Sequence, residues 1–447
     1  MLDLFIIGGG PAGYNAAKRA AELGMSVTLA ETCKLGGVCL NEGCIPTKTL
    51  LHSAKLYDGL KNAAFFGVEI GDSGINPTKV IERKNQVVAS LVKGVGMQMK
   101  AAGVEVINSN AEITGIDGGF FTVSAGGQYY QAKNILIATG SRAAVPPIPG
   151  LDGAFEKGAA VTSREALDII EAPSKLTVIG GGVVGMELAS WFNSIGSNVT
   201  VVEALGKIGG QIDDDAAAVL KKNYEKKGVR FLLDTVVSRV DGHDVMVTQN
   251  DVGTVMPSDK ILVCTGRKPV IENIGLEAAG VVCEKGKIVT NENMETNVPG
   301  IYAAGDVNGV YMLAHVAYRE GEVAVNRMAG IDDIMNYSAV PSVIYTSPEV
   351  ASAGACENGS LKVYKTPLNY SGRYIAENGP GDGFVKLLTD EAGHLAGGSV
   401  VGPYASEIIV LISALIEKRA AVEEIKRMIF PHPTVGEILR ECLFREE

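Results

Sequence analysis

Short apolar runs, each ending in glycine, set the rhythm of the chain. The clearest is Leu-Phe-Ile-Ile before Gly8, within "LFIIGGGPAGYNAAKRAAELGMSVTLAE". The pattern reads strand, glycine turn, helix, second strand and acidic residue. The same order returns in "LTVIGGGVVGMELASWFNSIGSNVTVVE". Gly8, Gly10, Gly13 and Glu31 of the first stretch correspond to Gly180, Gly182, Gly185 and Glu203 of the second, with a constant offset of 172 residues. "NILIATGSR" and "KILVCTGRKP" predict two more buried strands, each running into Thr-Gly. "GIYAAGDV" predicts another, ending at Gly305-Asp306. The prolines of "AAVPPIPG" mark a stiff connection between units. After about Ser338 the character changes. "FVKLL" and "HLAGGSVVG" read as strands and "SEIIVLISALIEKRAAVEEIKRMI" as helical, which predicts an α+β domain with strands first and helices after.

One G-x-G-x-x-G is weak evidence. Two of them, each between an apolar strand and a helical pattern and followed by an acid at the end of the next strand, predict two dinucleotide-binding units. The first glycine permits the tight turn, the second lets a pyrophosphate approach the backbone, and the third lets helix pack on strand. The helix N-terminus then offers N–H groups to the phosphates, and the acid accepts from ribose hydroxyls. Glu203 is followed by Ala204, Leu205 and Gly206, with no arginine cluster. A carboxylate there suits a free 2′-hydroxyl and repels a 2′-phosphate, so the second unit is expected to take NAD rather than NADP.

Composition narrows the classes. The chain has 447 residues, 46% hydrophobic and 20% charged, which is ordinary for a globular protein of several domains. Its 55 glycines exceed the usual share and suit tight turns and close backbone approaches. A net charge of −11 argues against a nucleic-acid partner. The longest apolar candidate, Ile408 to Ile416, is far short of a membrane span of ~20 residues. The N-terminal stretch has no basic region or cleavage signal, and a cytoplasmic location is expected.

Two of the seven cysteines, Cys39 and Cys44, lie five positions apart in "GGVCLNEGCIPTK". On an ideal helix such Cα atoms are roughly 8–9 Å apart, whereas a disulfide needs less than about 7 Å. If the two bridge, the backbone departs from helix there, for which Gly43 and Pro46 are suited. A redox pair facing a dinucleotide accounts for most of these features; buried thiols or a metal site remain open. Cys33, Cys264, Cys283, Cys356 and Cys442 read as small buried hydrophobes, His52, His243 and His394 as structural, and Asp213, Asp214 and Asp215 as a helix cap with an acidic first turn rather than a metal site.

With "GGGPAGYNAA", "GGVCLNEGCIPTK", "ATGSR", "GGGVVGMELAS", "CTGRKP", "YAAGDV", "YTSPEVASAG", "GDGFVKLL" and "FPHPTVGE" in this order, the chain resembles the flavin-dependent pyridine nucleotide–disulfide oxidoreductases over nearly its whole length. The resemblance implies an α/β fold with two Rossmann-like domains, for FAD and NAD, and a C-terminal α+β dimerisation domain. It implies residues 1–145 and 269–335 for FAD, 146–268 for NAD and 336–447 for the dimer interface. Among the family's activities it implies oxidation of protein-bound dihydrolipoamide to lipoamide with reduction of NAD+ to NADH. A reductase of another disulfide or small thiol, of the glutathione or mercuric type, is the alternative. Sequence around Cys44, Glu203 and the solitary Cys442 argue against that alternative.

The resemblance further assigns residues. Cys39 and Cys44 become the redox disulfide, with Cys39 meeting substrate and Cys44 the flavin. His432 becomes the base, Glu437 its orienting acid, and Lys48 with Glu187 an ion pair near the flavin. One tightly bound FAD per subunit would be held by Gly8, Gly10, Pro11, Ala12, Gly13, Glu31, Gly37, Val38, Lys48, Ala111, Thr139, Gly140, Ser141, Asp306, Leu313 and Ala314. Ala111 stands where the family often has glycine. NAD+ or NADH would meet Gly180, Gly182, Val183, Val184, Gly185, Glu203, Val237 and Gly266. A homodimer is implied, with His432 serving the other subunit. The lipoyl group would arrive on a partner, the acyltransferase of a 2-oxo acid dehydrogenase complex or a glycine-cleavage carrier. No metal is expected.

Overall fold

The computed structural model describes residues 1–445 and divides them into two compact units. One comprises Met1–Thr49, Thr78–Ala144 and Gly266–Asn336. Its sheet runs Glu105–Asn108, Val27–Glu31, Leu2–Ile7, Gln128–Ile137, Phe120–Ala125, Ala111–Asp117, with Ile301–Ala303 also on Gln128–Ile137. The strands around Leu2–Ile7 are parallel, whereas Ala111–Asp117 and Phe120–Ala125 form an antiparallel meander. Leu4 to Ile7 are buried, as expected of a central parallel strand covered on both faces. Helix Pro11–Glu22 presents Ala12, Ala16, Ala17 and Ala20 inward. These small side chains let helix Ala314–Met328 approach closely, and a Cβ on Gly321 would meet the Ala12 carbonyl.

The other unit comprises Leu50–Pro77, Val145–Thr265 and residues 337–445. It holds an all-parallel sheet in the order Arg230–Leu232, Asn198–Val202, Lys175–Ile179, Lys260–Val263, Ala160–Thr162. A three-stranded antiparallel sheet, Val236–Asp241 to Val252–Pro257, adjoins it in sequence. The C-terminal part is an antiparallel sheet of five strands ordered Pro341–Ile344, Val350–Gly354, Leu395–Val401, Phe384–Thr389, Lys362–Pro367. Its core joins Val385, Leu387 and Val400 to Ile409, Ile412 and Leu439 of the following helices.

Two details depart from the sequence reading. The short helix Gly372–Asn378 interrupts the C-terminal strands. The long helical pattern from Ser406 splits into Ala405–Glu417 and Val422–Arg427. Arg419 takes a left-handed φ of 50°, and Ala420 and Val422 turn their backbones to Leu395 and Gly393. No glycine marks that break, so the pattern of apolar residues continues through it. Among the described residues, no helix is long and apolar enough to cross a membrane.

Candidate active site

The two glycine turns are built alike. Gly8 and Gly180 have φ of 109° and 102°, the region that favours glycine. A side chain on them would strike the carbonyls of Ala138 and Cys264. One on Gly13 or Gly185 would strike the carbonyl of Gly8 or Gly180, so helix and strand touch only through glycine. A Cβ on Gly182 meets nothing within 4 Å, and on Gly10 only Gly37 Cα at 3.7 Å. Space is therefore open where a pyrophosphate would approach. Gly10 and Gly182 cap helices Pro11–Glu22 and Val183–Ser194 without a side-chain bond, and Pro11 sits at the first helical position. These uncapped N-termini fit phosphate.

The acids have a structural task that the sequence did not reveal. Gly9 N–H donates to Glu31 Oε2 at 2.7 Å and Cys33 N–H to Glu31 Oε1 at 2.8 Å. In the other unit Gly181 N–H donates to Glu203 Oε2 at 2.7 Å and Leu205 N–H to Glu203 Oε1 at 2.9 Å. Each carboxylate thus ties its glycine turn to the end of the next strand. The loop beyond then folds back: Gly36 N–H donates to Gly9 O at 2.8 Å and Gly209 N–H to Gly181 O at 2.7 Å.

Cys39 and Cys44 form a disulfide with Cα atoms 4.7 Å apart. The short separation arises because helix Gly37–Glu42 stops at Gly43 (φ −140°, ψ −104°) and a new helix, Cys44–Leu60, starts at once. Pro46 falls in its first turn, where a missing N–H costs nothing. Gly36 and Gly37, with φ of 99° and 58°, start the first helix, and Val38 and both cysteines are half-buried. Asn41, between the cysteines, was not singled out from sequence. Its Nδ2 donates to Leu35 O at 3.1 Å and Gly37 O at 3.0 Å, pinning the turn that leads into the pair. Lys48 follows Cys44 by one helical turn and is half-buried.

The remaining flavin-side candidates cluster at strand ends. Ser141 Oγ donates to Asp306 Oδ2. Arg267, also missed, donates from Nε to Ser141 Oγ at 2.7 Å and from Nη2 to Ser141 O at 2.8 Å. Its Nε lies 3.8 Å from Asp306. Burial pushes the Arg267 pKa down, with Asp306 and Glu42 opposing. Its signal was the arginine of "CTGRKP", which carries no distinguishing spacing. Thr139 Oγ1 donates to Val270 O at 2.6 Å, and Gly140 has φ 71°. Leu313 caps helix Ala314–Met328 with no side-chain bond. Ala111 is buried at the start of its strand.

Of the other candidates, Glu187 is 3% exposed, and its Oε1 accepts from Tyr345 N–H at 2.9 Å. Val183 opens helix Val183–Ser194 with the exposed Val184 beside it. Val237 is buried in the three-stranded sheet, and Gly266 has φ 113°. His432 is 79% exposed, with Nδ1 3.0 Å from Glu437 Oε2 and 3.2 Å from Oε1. Thr434 N–H donates to Glu437 Oε1 at 3.3 Å, and Glu437 N–H to Thr434 Oγ1 at 3.2 Å. The carboxylate is therefore held in place before it meets the imidazole.

Three of the single cysteines correct the sequence reading. Cys33, Cys283 and Cys356 are exposed, because they sit at strand ends and in the turns beyond rather than on inward faces. Cys442 is buried, and burial pushes the Cys264 thiol up to about 12. No cluster of metal-ligating residues occurs among the described residues. Asp213 caps helix Asp214–Lys226, accepting from Ala216 N–H at 3.2 Å.

A paired cradle, a disulfide beside one of them and a histidine–glutamate couple invite comparison with known proteins. The model of the pyridine nucleotide-disulphide oxidoreductases matches residues 2–321, and that of the family's dimerisation domain residues 340–443. The chain belongs to this family. As a pyridine nucleotide-disulphide oxidoreductase it is an FAD-dependent oxidoreductase of a family that uses FAD and NAD(H). It is 36% identical to the dihydrolipoyl dehydrogenase of Bacillus subtilis, over 99% of this chain and 98% of that one. It is 38% identical to the mitochondrial dihydrolipoyl dehydrogenase of Homo sapiens, over 98% and 89%. Among solved structures it resembles LpdA from Mycobacterium tuberculosis, with a TM-score of 0.89, 27% identity and 99% coverage of both chains. It also resembles the HOCl-induced flavoprotein disulfide reductase RclA from Escherichia coli, with a TM-score of 0.85, 26% identity and 99% coverage of both.

Proposed function

We propose that this oxidoreductase is a dihydrolipoyl dehydrogenase, oxidising protein-bound dihydrolipoamide and reducing NAD+. The observation that carries the reading is the Cys39–Cys44 disulfide across the Gly43 break, in the same unit as the first glycine cradle. Relatives of that name, similar over almost the full chain, support it. Residues 1–145 and 269–335 serve FAD, 146–268 serve NAD and 336–447 the dimer contact, with the cofactor residues named from sequence as their ligands. The open space at Gly10 and Gly182 and the anchored Glu31 and Glu203 support those assignments.

With Nδ1–H donating to Glu437, His432 keeps Nε2 as the basic nitrogen. That nitrogen takes a proton from one substrate thiol, because the thiolate is the nucleophile of exchange. The thiolate bonds to Cys39 Sγ, the Cys39–Cys44 bond breaks, and Cys44 leaves as thiolate. The second substrate thiol attacks the substrate sulfur held on Cys39, closing the substrate disulfide; its proton passes to the departing Cys39 thiolate, while His432 keeps the first. Two electrons then reside on the cysteine pair. Bound FAD supplies the two-electron link from this dithiol to NAD+. Lys48, with Glu187 as its expected partner, would set the charge beside the cysteine pair, and Asp306 would hold the ribityl chain of bound FAD. His432 of one copy serves the cysteine pair of its homodimer partner. The lipoyl group comes on an acyltransferase or glycine-cleavage carrier, in the cytoplasm.

Cys44→Ser tests the exchange chemistry. It should retain FAD, abolish lipoamide turnover and lose the long-wavelength thiolate–flavin band on reduction. Retained turnover rules the scheme out. Parallel assays with glutathione address the alternative, and activity with glutathione but not with dihydrolipoamide would favour it.

A further inference from the structure

Glu320 takes no part in the chemistry described above, yet it is a carboxylic residue 0% exposed to solvent, on helix Ala314–Met328. A buried carboxylate is costly unless donors meet it. Its Oε2 accepts from Gly305 N–H at 2.6 Å and from Asn308 Nδ2 at 2.9 Å. Those two donors bracket Asp306. Gly305 has φ 80° and ψ −160°, a backbone state that side chains rarely adopt, and a Cβ there would crowd Ala12 and Ala317 at 3.3 Å. The 3-10 turn Asp306–Asn308 begins directly after it. Asn308 is itself fixed, since its Oδ1 accepts from Val310 N–H at 3.0 Å. Ser141 and Arg267 engage the Asp306 side chain, while Glu320 engages the backbone that carries it.

We propose that Glu320 is a positioning residue for FAD: its carboxylate sets the Gly305–Asn308 turn and thereby the aim of Asp306. This rests on the reading of Asp306 as the ligand of the ribityl chain. The Glu320 carboxylate accepts both hydrogen bonds on one oxygen, so glutamine, which keeps one carbonyl oxygen, preserves the acceptor, whereas alanine leaves two donors stranded.

FAD is removed from the holoenzyme and its rebinding to the apoprotein is followed by quenching of flavin fluorescence. Asp306→Ala serves as the reference. Glu320→Ala should weaken FAD binding roughly 10- to 100-fold, Asn308→Ala should weaken it less, and Glu320→Gln should stay within a few-fold of the parent. A merely space-filling role would also spare Glu320→Gln, so Glu320→Met, of similar length but with no acceptor oxygen, separates the two: it should weaken binding as Glu320→Ala does, and parental affinity in Glu320→Met overturns the acceptor role. Where the Glu320→Ala apoprotein does not fold, Asn308→Ala with Glu320→Gln carries the comparison. Parental affinity in Glu320→Ala or, failing that, in Asn308→Ala, with weakened Asp306→Ala, overturns the role of Glu320 and leaves the Asp306 reading standing. Equal losses in Glu320→Gln and Glu320→Ala overturn the acceptor role. Parental affinity in Asp306→Ala overturns both readings.

Discussion

Glu203 and Glu31 concentrate what single residues do here. Each carboxylate closes its own strand end by accepting two backbone N–H groups. At Glu203 that anchoring fixes the carboxylate, and under the proposed ribose contact it would set a negative charge against a 2′-phosphate. Glu203→Ala should lower the preference for NAD+ over NADP+ about tenfold, a loss on the scale of one charge-assisted hydrogen bond. The ratio of kcat/KM values for the two nucleotides measures it, and an unchanged ratio means the ribose contact is misassigned. At this scale much was legible, since glycines and acids at fixed spacing speak for themselves. Asn41, Arg267 and Glu320 were not legible. Their partners are backbone atoms or residues far away in sequence, and nothing in spacing announces them.

Between elements, charge does what apolar patterning does not predict. Lys386, 4% exposed in strand Phe384–Thr389, lies 2.9 Å from Asp213, 2.6 Å from Asp215 and 2.7 Å from Glu357. Burial works against the ammonium, but the three carboxylates win and raise its pKa. The cluster binds the start of helix Asp214–Lys226 to the C-terminal sheet within one unit. Lys386→Met should destabilise the unit by about 3 kcal/mol, the lower end for breaking a buried ion pair because two of the carboxylates are half-exposed. Denaturant unfolding of the holoenzyme reads this. Hydrogen bonds from Lys365 and Lys386 hold Asp215 below its ordinary 3.8. Its ionised form therefore stabilises the fold above that pH, and the contribution fades as the pH falls further. The melting-temperature gap between the parent and Asp215→Asn should shrink on acidification below about pH 4; a gap that widens there refutes the assignment. The sequence presented Asp213 as a cap, which it is, but a cap's long-range partner is invisible without the fold.

For the molecule as a whole, the proposed homodimer makes His432 and the cysteine pair answer to different chains. Cys44→Ser and His432→Gln should each be inactive alone. Refolded together in equal amounts, they should regain about a quarter of parental activity, because half the dimers then hold one complete site. No recovery in mixed dimers verified by mass would mean each chain serves itself. The sequence by itself determined the family fold, the two dinucleotide units and the proximity of two thiols, because these depend on local periodicity, on glycine's conformational range and on short spacing. Tertiary structure alone decided that the long C-terminal helix breaks at Arg419, that Glu320 braces the Asp306 turn and that Lys386 gathers three carboxylates. Those outcomes arise from buried polar groups that must find partners wherever the chain brings them, and that requirement leaves no period in the sequence.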